Sequence, residues 1–329
     1  MKNISVLGSG AWGTSVANLI AKNNYNVKIL SIIPETTKEI NEQNTNNVYL
    51  PKIKLSKNLK AHESLAELFE NPEMVFVVIP SSVVHQVFEN IKKLKGENYE
   101  MTFVICTKGI EQKSLKFMSD VIKDSLPKSK IAIFSGPNFA MEVAEEIPSI
   151  TTIATKDKNL YEEISSVLNC EYFKTYYSDD PLGAQICGVM KNIIAISCGI
   201  SEGLGWSNNT RAGLITQGLL EIGEMCQVFD GDKEILNQPA GVGDLVLTCS
   251  SIKSRNFSLG YRIGKGEKIS DILESKKHNS TFEGQKNANC AIKIGKKYKL
   301  NLPLCSAVHK ILEDNLTRNE IKKLIQKVI

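Results

Sequence analysis

The feature that most constrains this fold is a glycine-rich turn close to the amino terminus. Residues 2–21 read KNISVLGSGAWGTSVANLIA, in which an apolar run at 4–7 enters the turn and a small-residue helix leaves it. The turn carries the spacing G-x-G-x-x-G as Gly8, Gly10 and Gly13. These glycines allow a tight turn, contact between a pyrophosphate and bare backbone, and close packing of helix on strand, while the helix amino terminus binds the anion. The pattern therefore predicts a dinucleotide-binding unit. The alternative is a tight strand-to-helix turn without a ligand.

The second apolar run, at 27–30, bears on the choice of cofactor. An acidic residue at the tip of this strand binds the ribose of NAD, whereas a basic residue favours NADP. The tip here reads SIIPE at 31–35, which offers neither, and Glu35 after Pro34 also suits the first turn of a helix. The cofactor is therefore NAD or NADP, with the preference open.

Length and composition limit the class of protein. A chain of 329 residues, 42% hydrophobic and 23% charged, is long enough for two globular domains. The net charge of +4 and the dispersed lysines lack the dense basic stripe of a nucleic-acid-binding protein. The eight cysteines form no CxxC pair and the four histidines have no ligand spacing, so we expect reduced thiols and no metal site. Because the chain begins with a strand pattern, we expect no signal peptide and a cytoplasmic location.

Alternating strand and helix patterns extend to about residue 178. Later strands are predicted at 74–79, 102–106, 131–134, 150–154 and 172–177, and helices at 63–70, 82–94, 114–125, 139–145 and 158–168. This alternation predicts an α/β fold with a Rossmann-like, largely parallel sheet. Ligands bind beyond the carboxyl ends of such strands, so the segments 80–82, 107–109 and 135–138 should rim one crevice.

The remainder of the chain has only helical patterns. They lie at 181–200, 209–229, 255–264, 283–298, 304–314 and 319–328. We therefore expect a dinucleotide-binding domain at 1–178 and an all-α substrate-binding and catalytic domain at 179–329. The run at 182–200 approaches the length of a membrane span, but Gln185, Lys191 and Asn192 interrupt it, which favours a buried core helix and no membrane span.

Lys191 is the first candidate for chemistry. It lies in the middle of an apolar helix, where burial would lower the pKa of its ammonium group toward the range useful for proton transfer. The alternative is a lysine that extends from the helix edge to solvent.

Three further candidates follow from their positions. Lys108 comes after a predicted strand and would point into the crevice, unless it is a solvated loop lysine. Asp244 follows a glycine-rich turn and precedes an apolar run, which also suits a helix N-cap. The segment SRN at 254–256 offers a guanidinium and an amide for a phosphate or carboxylate, or else begins an exposed helix.

Several segments together resemble the bacterial-type NAD(P)-dependent glycerol-3-phosphate dehydrogenases. Besides the glycine turn, they are NVYLP at 47–51, CTKGIE at 106–111, SGPNFA at 135–140, MKN at 190–192, GVGDLVLTC at 241–249, SRN at 254–256 and EG at 283–284. The resemblance covers the whole chain and implies hydride transfer between nicotinamide and C2 of dihydroxyacetone phosphate. It also implies Lys191 as the acid/base, with Lys108 and Asp244 beside it in the catalytic group.

The resemblance further implies a set of binding residues. Those for the substrate are Lys108, Gly136, Asn138, Lys191, Asn192, Asp244, Thr248, Ser254, Arg255 and Asn256. Those for the cofactor are Gly8, Ser9, Gly10, Ala11, Trp12, Gly13, Ile32, Lys108, Ala140, Arg255, Thr281 and Glu283. The chain departs from many relatives at Asn138, where they carry Ser or Thr, and at Ile32, where they carry His or Arg.

The resemblance thus predicts an sn-glycerol-3-phosphate dehydrogenase whose partner is a small molecule, dihydroxyacetone phosphate or sn-glycerol 3-phosphate. The expected assembly is a homodimer, and the product would enter glycerophospholipid synthesis. One alternative is another β-hydroxyacid-type dehydrogenase, which would lack the phosphate-binding segment at 254–256. The other is a nicotinamide-binding sensor without catalysis, for which both lysines and Asp244 would be unnecessary.

Overall fold

The structure, a computed structural model, describes residues 2–274, 283–314 and 316–329, apart from the side chain of Leu273. The chain forms two compact units. The first comprises Met1–Thr107 and Lys116–Pro181, and the second comprises Lys108–Leu115 and Leu182–Ile329. The expected domain boundary at residue 178 stays a prediction.

The first unit contains an eight-stranded sheet in the order β3-β2-β1-β4-β5-β6-β7-β8. The strands are β1 (Asn3–Leu7), β2 (Asn26–Leu30), β3 (Leu59–His62), β4 (Met74–Val77), β5 (Thr102–Ile105), β6 (Lys130–Ser135), β7 (Ser149–Ala154) and β8 (Phe173–Ser178). Every neighbouring pair is parallel except β6 and β7. The prediction of a Rossmann-like, largely parallel sheet is confirmed.

Seven helices accompany the strands of the first unit. They are α1 (Ala11–Lys22), α2 (Pro34–Gln43), α3 (Leu65–Leu68), α4 (Ser81–Lys95), α5 (Met118–Ser125), α6 (Ala140–Ala144) and α7 (Lys158–Leu168). Strand β3 and the extent of α2 were not expected from the sequence. Both have weak patterns, because α2 buries only Thr36 and Ile40 and β3 has four residues with Lys60 exposed.

The strand register aligns the carboxyl ends of the central strands at one edge of the sheet. Leu7 pairs with both Leu30 and Val77, and Val77 pairs with Ile105. The glycine turn and the segments after β2, β4 and β5 therefore begin at the same edge. This is the edge at which open α/β sheets bind their ligands.

The second unit is helical, as the sequence predicts. It contains α8 (Pro181–Gly203), α9 (Asn208–Val228), α10 (Asp244–Cys249), α11 (Arg255–Gly264), α12 (Ile269–Glu274), α13 (Glu283–Tyr298), α14 (Pro303–Glu313) and α15 (Arg318–Gln326). A 3₁₀ turn (Lys233–Asn237) and a π turn (Pro239–Gly243) precede α10. The cysteines of the chain are free thiols, and all except Cys170 are buried.

Helix α8 is the long apolar helix that raised the question of a membrane span. Within the described residues it is the one helix with sufficient length and apolarity, at a mean hydropathy of 1.4, and that window is entirely buried in the structure. This burial agrees with the interpretation of α8 as a core helix.

Helices α8 and α11 cross with direct contact between their backbones. A Cβ atom on Gly199 of α8 would lie 2.0 Å from the carbonyl oxygen of Phe257, and one on Gly260 of α11 would lie 2.0 Å from that of Ile196. Only glycine fits at such a crossing. The contact fixes α11, which begins with the SRN segment, against the helix that carries Lys191.

Candidate active site

Four polar side chains form a buried cluster in the second unit. The Nζ atoms of Lys108 and Lys191 donate to opposite carboxylate oxygens of Asp244, each at 2.5 Å. Lys191 also donates to Oγ1 of Thr248 at 2.9 Å. Asp244 is 1% exposed and Lys191 is 8% exposed, so this ion pair is buried, whereas Lys108 is only partly buried.

The local fold explains why Asp244 faces inward. The π turn before α10 passes so close to the 3₁₀ turn that a Cβ on Gly241 would lie 2.4 Å from the carbonyl oxygen of Ile235. Gly243 is the N-cap of α10, and Asp244 is the first residue of that helix. Thr248 follows four residues later on the same helix face. Asp244 therefore pairs with lysines, and the alternative of an N-cap does not hold.

The electrostatics of the cluster favour proton transfer by Lys191. Burial lowers the pKa of Lys191 to about 8; the Asp244 carboxylate opposes this, and the positive charge of Lys108 adds to it. Burial would raise the pKa of Asp244, but Lys108 and Lys191 outweigh it and hold that pKa below its ordinary value. Asp244 thus stays ionised, while Lys191 gains or loses a proton near neutral pH.

Lys108 lies in a short segment that belongs to the second unit, although the chain before and after it belongs to the first. Thr107, just after β5, is anchored in the first unit, since its hydroxyl donates to the carbonyl oxygen of Ile79 at 2.7 Å. The next residues, Lys108–Leu115, belong to the second unit. The Lys108 side chain is 22% exposed, against 10% for Lys191 and 2% for Asp244, so it forms the outer part of the cluster.

The start of α11 supplies the candidate anion-binding residues. Ser254 is the N-cap, and its hydroxyl accepts the backbone N–H of Phe257 at 3.3 Å. Arg255 follows with its side chain exposed. Oδ1 of the buried Asn256 accepts the backbone N–H of Gly284 at 3.2 Å. The hydroxyl of Ser254 is therefore used for helix capping, whereas the Arg255 guanidinium is presented at the surface.

Glu283, the first residue of α13, lies within the electrostatic range of the lysine cluster. Burial raises the pKa of its carboxyl, while the positive charges of Arg255, Lys108 and Lys191 act in the opposite direction. The adjacent Gly284 is in close contact with α8, since a Cβ there would lie 2.9 Å from the carbonyl oxygen of Asn192. The buried Asn192 is thus placed at the base of α13.

The glycine turn of the first unit has the features of a phosphate loop. Gly8 has a φ of +111°, and a Cβ on Gly13 would lie 1.9 Å from the carbonyl oxygen of Gly8, so strand and helix meet without side chains. At Gly10 no atom of the described residues other than Gly10 and its two chain neighbours lies within 4 Å of the ideal Cβ position. The loop therefore leaves space over bare backbone at Gly10 and fits the pyrophosphate of a dinucleotide.

The other expected nucleotide-binding residues flank this loop. Ser9 is buried, Ala11 begins α1, and the ring of Trp12 packs edge-on against Phe134 with centroids 5.5 Å apart. Ile32, just after β2, is 85% exposed. The expected residue Thr281 lies outside the described residues.

The segment after β6 contributes the remaining expected residues of the first unit. A Cβ on Gly136 would lie 2.6 Å from Oγ1 of Thr151, so a larger residue would not fit against β7. Nδ2 of Asn138 donates to the carbonyl oxygen of Ile150 at 2.9 Å, and its Oδ1 is buried with no partner among the described residues. Ala140 begins α6, which packs against α1.

The expected site residues thus fall into two groups. The second unit contains Lys108, Lys191, Asn192, Asp244, Thr248, the 254–256 segment and Glu283, and the first unit contains the glycine loop and the segment after β6. Among those of the second unit, hydrogen bonds join Lys108, Lys191, Asp244 and Thr248. Sequence reasoning missed Asn46, which is fully buried and donates to the carbonyl oxygen of Ser9. Its position three residues beyond the end of α2 gave no signal, because Asn is common in loops.

A Rossmann-like unit with a phosphate loop, combined with a buried lysine and carboxylate cluster in a helical unit, defines the class of two-domain nicotinamide-dependent dehydrogenases. Comparison with known families gives the particular family. A model described as the NAD-dependent glycerol-3-phosphate dehydrogenase N-terminus matches residues 3–161, and its C-terminal counterpart matches residues 180–323. The chain belongs to the NAD-dependent glycerol-3-phosphate dehydrogenase family.

Individual relatives agree with this family. The chain is 37% identical to a glycerol-3-phosphate dehydrogenase [NAD(P)+] of Rhodospirillum rubrum, over 94% of this chain and 88% of the relative. A Syntrophotalea carbinolica protein of the same name is 35% identical over 99% and 98% of the two chains. The crystal structure of glycerol-3-phosphate dehydrogenase from Coxiella burnetii matches with a TM-score of 0.92 and 32% identity, over 99% and 98%.

Proposed function

We propose that this protein is an sn-glycerol-3-phosphate dehydrogenase that uses NAD(P)H to reduce dihydroxyacetone phosphate reversibly. The single observation that carries the proposal is the cluster in which Asp244 holds both Lys108 and Lys191 in a buried site. A buried proton donor of this kind is required by a ketone reductase and has no use in a nicotinamide-binding sensor. The relatives that share the whole length of the chain carry this enzyme name.

The proposed mechanism assigns the proton to Lys191. When bound, the nicotinamide supplies or accepts the hydride at C2 of the substrate. The protonated Lys191 donates a hydrogen bond to the C2 oxygen, stabilises the negative charge that develops there and then protonates it. Asp244 remains ionised and holds both ammonium groups in position. Thr248 accepts a second N–H of Lys191, which leaves the third N–H of that ammonium group for the C2 oxygen. In the reverse reaction the neutral Lys191 accepts the proton of the C2 hydroxyl.

Lys108 is proposed to orient the substrate rather than to protonate it. Its side chain is more exposed than that of Lys191, so it is the lysine of the pair that a phosphorylated substrate would meet first. The positive charge of Lys108 would attract the phosphate of the substrate, and it lowers the pKa of Lys191 through charge repulsion.

The phosphate group of the substrate is assigned to Arg255, with Asn256 beside it. If Arg255 forms a charge-assisted pair with the phosphate, Arg255→Ala should lower kcat/KM for dihydroxyacetone phosphate by about 10- to 150-fold, or roughly 1.5–3 kcal/mol. Dihydroxyacetone, which has no phosphate, should react almost equally with both enzymes. Steady-state kinetics on the two ketones measures the difference.

Arg262→Ala provides a matched control on the same helix. Arg262 pairs with Glu267 at the other end of α11, so its loss removes an arginine without touching the start of the helix. We expect its kcat/KM to stay close to that of the unaltered enzyme. Equal losses on both ketones for Arg255→Ala would show that Arg255 stabilises the fold or binds the cofactor instead.

The choice between NADH and NADPH depends on the tip of β2. The exposed Ile32 supplies neither a carboxylate for the ribose hydroxyls nor a positive charge for a 2′-phosphate. The hydroxyl of Ser31 is engaged with the backbone of Ile33. We therefore expect the protein to oxidise both cofactors, in line with the NAD(P)+ label of its relatives.

One assay tests the proposed function. NADH and NADPH oxidation is followed at neutral pH with dihydroxyacetone phosphate, glyceraldehyde 3-phosphate and dihydroxyacetone as substrates. The proposal requires the highest kcat/KM for dihydroxyacetone phosphate. A preference for an unphosphorylated hydroxyacid or ketone would favour another β-hydroxyacid-type dehydrogenase, and cofactor binding without turnover would favour a sensor.

The wider role of the protein is proposed from the family resemblance. We propose nucleotide binding by residues 1–178 and substrate binding and catalysis by residues 179–329. The product would supply glycerophospholipid synthesis in the cytoplasm, and the enzyme would act as a homodimer. Light scattering during size-exclusion chromatography tests the dimer, and isotope tracing from labelled dihydroxyacetone phosphate into phospholipid tests the metabolic role.

A further inference from the structure

Asn46 lies next to the phosphate loop, in a segment to which no cofactor-binding or substrate-binding residue has been assigned. It is completely buried, although it follows α2 in a loop that connects to β3. Its Nδ2 donates to the carbonyl oxygen of Ser9 at 3.0 Å and to Oγ1 of Thr14 at 2.8 Å. The Thr14 hydroxyl donates to the same Ser9 oxygen at 3.0 Å. A buried asparagine that lies 37 residues away thus holds the middle of the glycine turn.

The effect of these bonds is to fix one peptide plane. The chain has no cis peptide bonds among its described residues, so the C=O of Ser9 and the N–H of Gly10 point in opposite directions across a planar unit. With two donors holding the Ser9 oxygen inward, the Gly10 N–H points away from Asn46 and Thr14. Gly10 is also the residue whose ideal Cβ position is open, so this peptide borders the space that suits a pyrophosphate.

The segment around Asn46 is itself held in place. One carboxylate oxygen of Glu39 on α2 accepts the hydroxyl of Thr45 and the backbone N–H of Asn47, each at 2.8 Å. The carbonyl oxygen of Asn46 accepts the backbone N–H of Leu50 at 2.7 Å. The residues on both sides of Asn46 are therefore anchored, and its side chain has little freedom to leave the glycine turn.

We propose that Asn46 is a positioning residue for the cofactor: it orients the Ser9–Gly10 peptide of the phosphate loop so that the Gly10 N–H is ready for the pyrophosphate. The inference rests on the cofactor binding in the proposed function, but not on the substrate. Asn46 acts through the backbone of Ser9 and needs no contact with the cofactor. Any ligand with the ADP-ribose part of the cofactor should depend on it equally.

Binding of ADP-ribose and of NADH, measured by isothermal titration calorimetry on the full chain, tests this role. Asn46→Ala should raise both dissociation constants by about tenfold, the effect of one ordinary hydrogen bond. The kcat at saturating NADH should change little, because the loop is occupied under those conditions. If the binding of ADP-ribose and of NADH is weakened equally, the effect acts on the ADP-ribose part that the two ligands share.

Asn41→Ala is the matched control. Asn41 also makes two hydrogen bonds to backbone, with the carbonyl oxygen and the N–H of Ala61 in β3, both at 2.9 Å. Its loss should lower thermal stability and leave the affinity for ADP-ribose unchanged. If Asn41→Ala weakens the binding of ADP-ribose as much as Asn46→Ala does, the loss of affinity comes from a general loss of structure and the inference is overturned.

Thr14→Val gives a second test that keeps the shape of the side chain. It removes the other donor to the Ser9 oxygen and should also weaken ADP-ribose. The double variant should lose less than the product of the two single effects, because both act on one carbonyl group. The inference would be overturned if the loss of ADP-ribose affinity in the double variant equals the product of the two single losses. It would also be overturned if Asn46→Ala and Thr14→Val both bind ADP-ribose with unchanged affinity.

The outcomes also separate the inference from the proposed function. If the unaltered chain binds ADP-ribose and the variants weaken it, the inference stands even when dihydroxyacetone phosphate is not reduced. If the unaltered chain reduces dihydroxyacetone phosphate but the Asn46→Ala affinity is unchanged, only the inference fails. If the unaltered chain does not bind ADP-ribose, the inference and the cofactor assignment fail together.

Discussion

Replacing Lys191 by methionine is expected to lower kcat by roughly 10²–10⁴, the usual contribution of general acid–base catalysis. Methionine keeps the approximate length of the side chain and removes the ammonium group. The variant should still fold, because Asp244 keeps its second partner, Lys108, and is not left as an unpaired buried charge. The affinity for NADH should stay within a few fold. Stopped-flow or steady-state measurement of NADH oxidation with dihydroxyacetone phosphate gives the loss in kcat.

Lys108→Met is the matched comparison, since it removes the other ammonium group on the same carboxylate. With Lys108 gone, Lys191 keeps Asp244 and Thr248 as partners and retains its proton. We expect Lys108→Met to act mainly on KM for dihydroxyacetone phosphate. If Lys108→Met lowers kcat far more than Lys191→Met does, or if Lys191→Met keeps kcat within tenfold, Lys108 is the proton donor and the assignment is wrong.

Gly10→Val is expected to abolish cofactor binding while the protein stays folded. The φ of Gly10 is −66°, which valine adopts easily, and no atom of the described residues would collide with its Cβ. The side chain would instead fill the space over the loop backbone that a pyrophosphate needs. We expect the dissociation constant of NADH to rise by more than about 100-fold, equivalent to roughly 2.7 kcal/mol. Thermal unfolding and NADH titration on the same preparation separate folding from binding.

Gly13→Ala is the contrasting variant. Its Cβ would lie 1.9 Å from the carbonyl oxygen of Gly8, so even one methyl group forces strand and helix apart. This variant should lose stability, whereas Gly10→Val should not. A folded Gly10→Val protein with unchanged NADH affinity would contradict the assignment of the loop to the cofactor.

The fold was largely predictable because its strongest signals are local in sequence. The glycine turn lies between a strand and a helix with no spacer, and most strands of the parallel sheet are short apolar runs. Strand β3 was missed because it has four residues and an exposed Lys60 between two buried positions. The close crossing of α8 and α11 was also missed. Gly199 and Gly260 are required there because the backbones of the two helices are in contact, and this contact is not visible in the local sequence.

The site was only partly predictable, because its geometry depends on distant residues. Lys191, Lys108 and Asp244 could be named from their local surroundings. That one carboxylate bridges both lysines could not be read from the sequence, because Asp244 is 136 residues from Lys108 and 53 from Lys191. Asn46 gave no sequence signal, since a loop asparagine shows its partners only once the glycine turn is folded against it.

The central claim is that the protonation state of Lys191 governs the reaction in both directions. It is tested most directly by the pH dependence of kcat/KM, measured for dihydroxyacetone phosphate reduction and for sn-glycerol 3-phosphate oxidation. Because kcat/KM reports the free enzyme, both profiles should bend near the pKa of about 8 that burial gives Lys191.

The two profiles should have opposite signs. Reduction needs protonated Lys191, so its kcat/KM should be level below this pKa and fall about tenfold per pH unit above it. Oxidation needs neutral Lys191, so its kcat/KM should rise up to the same pKa and then level off. Both bends should vanish in Lys191→Met. Bends that persist in Lys191→Met, or profiles that change in the same direction for both reactions, would contradict the claim.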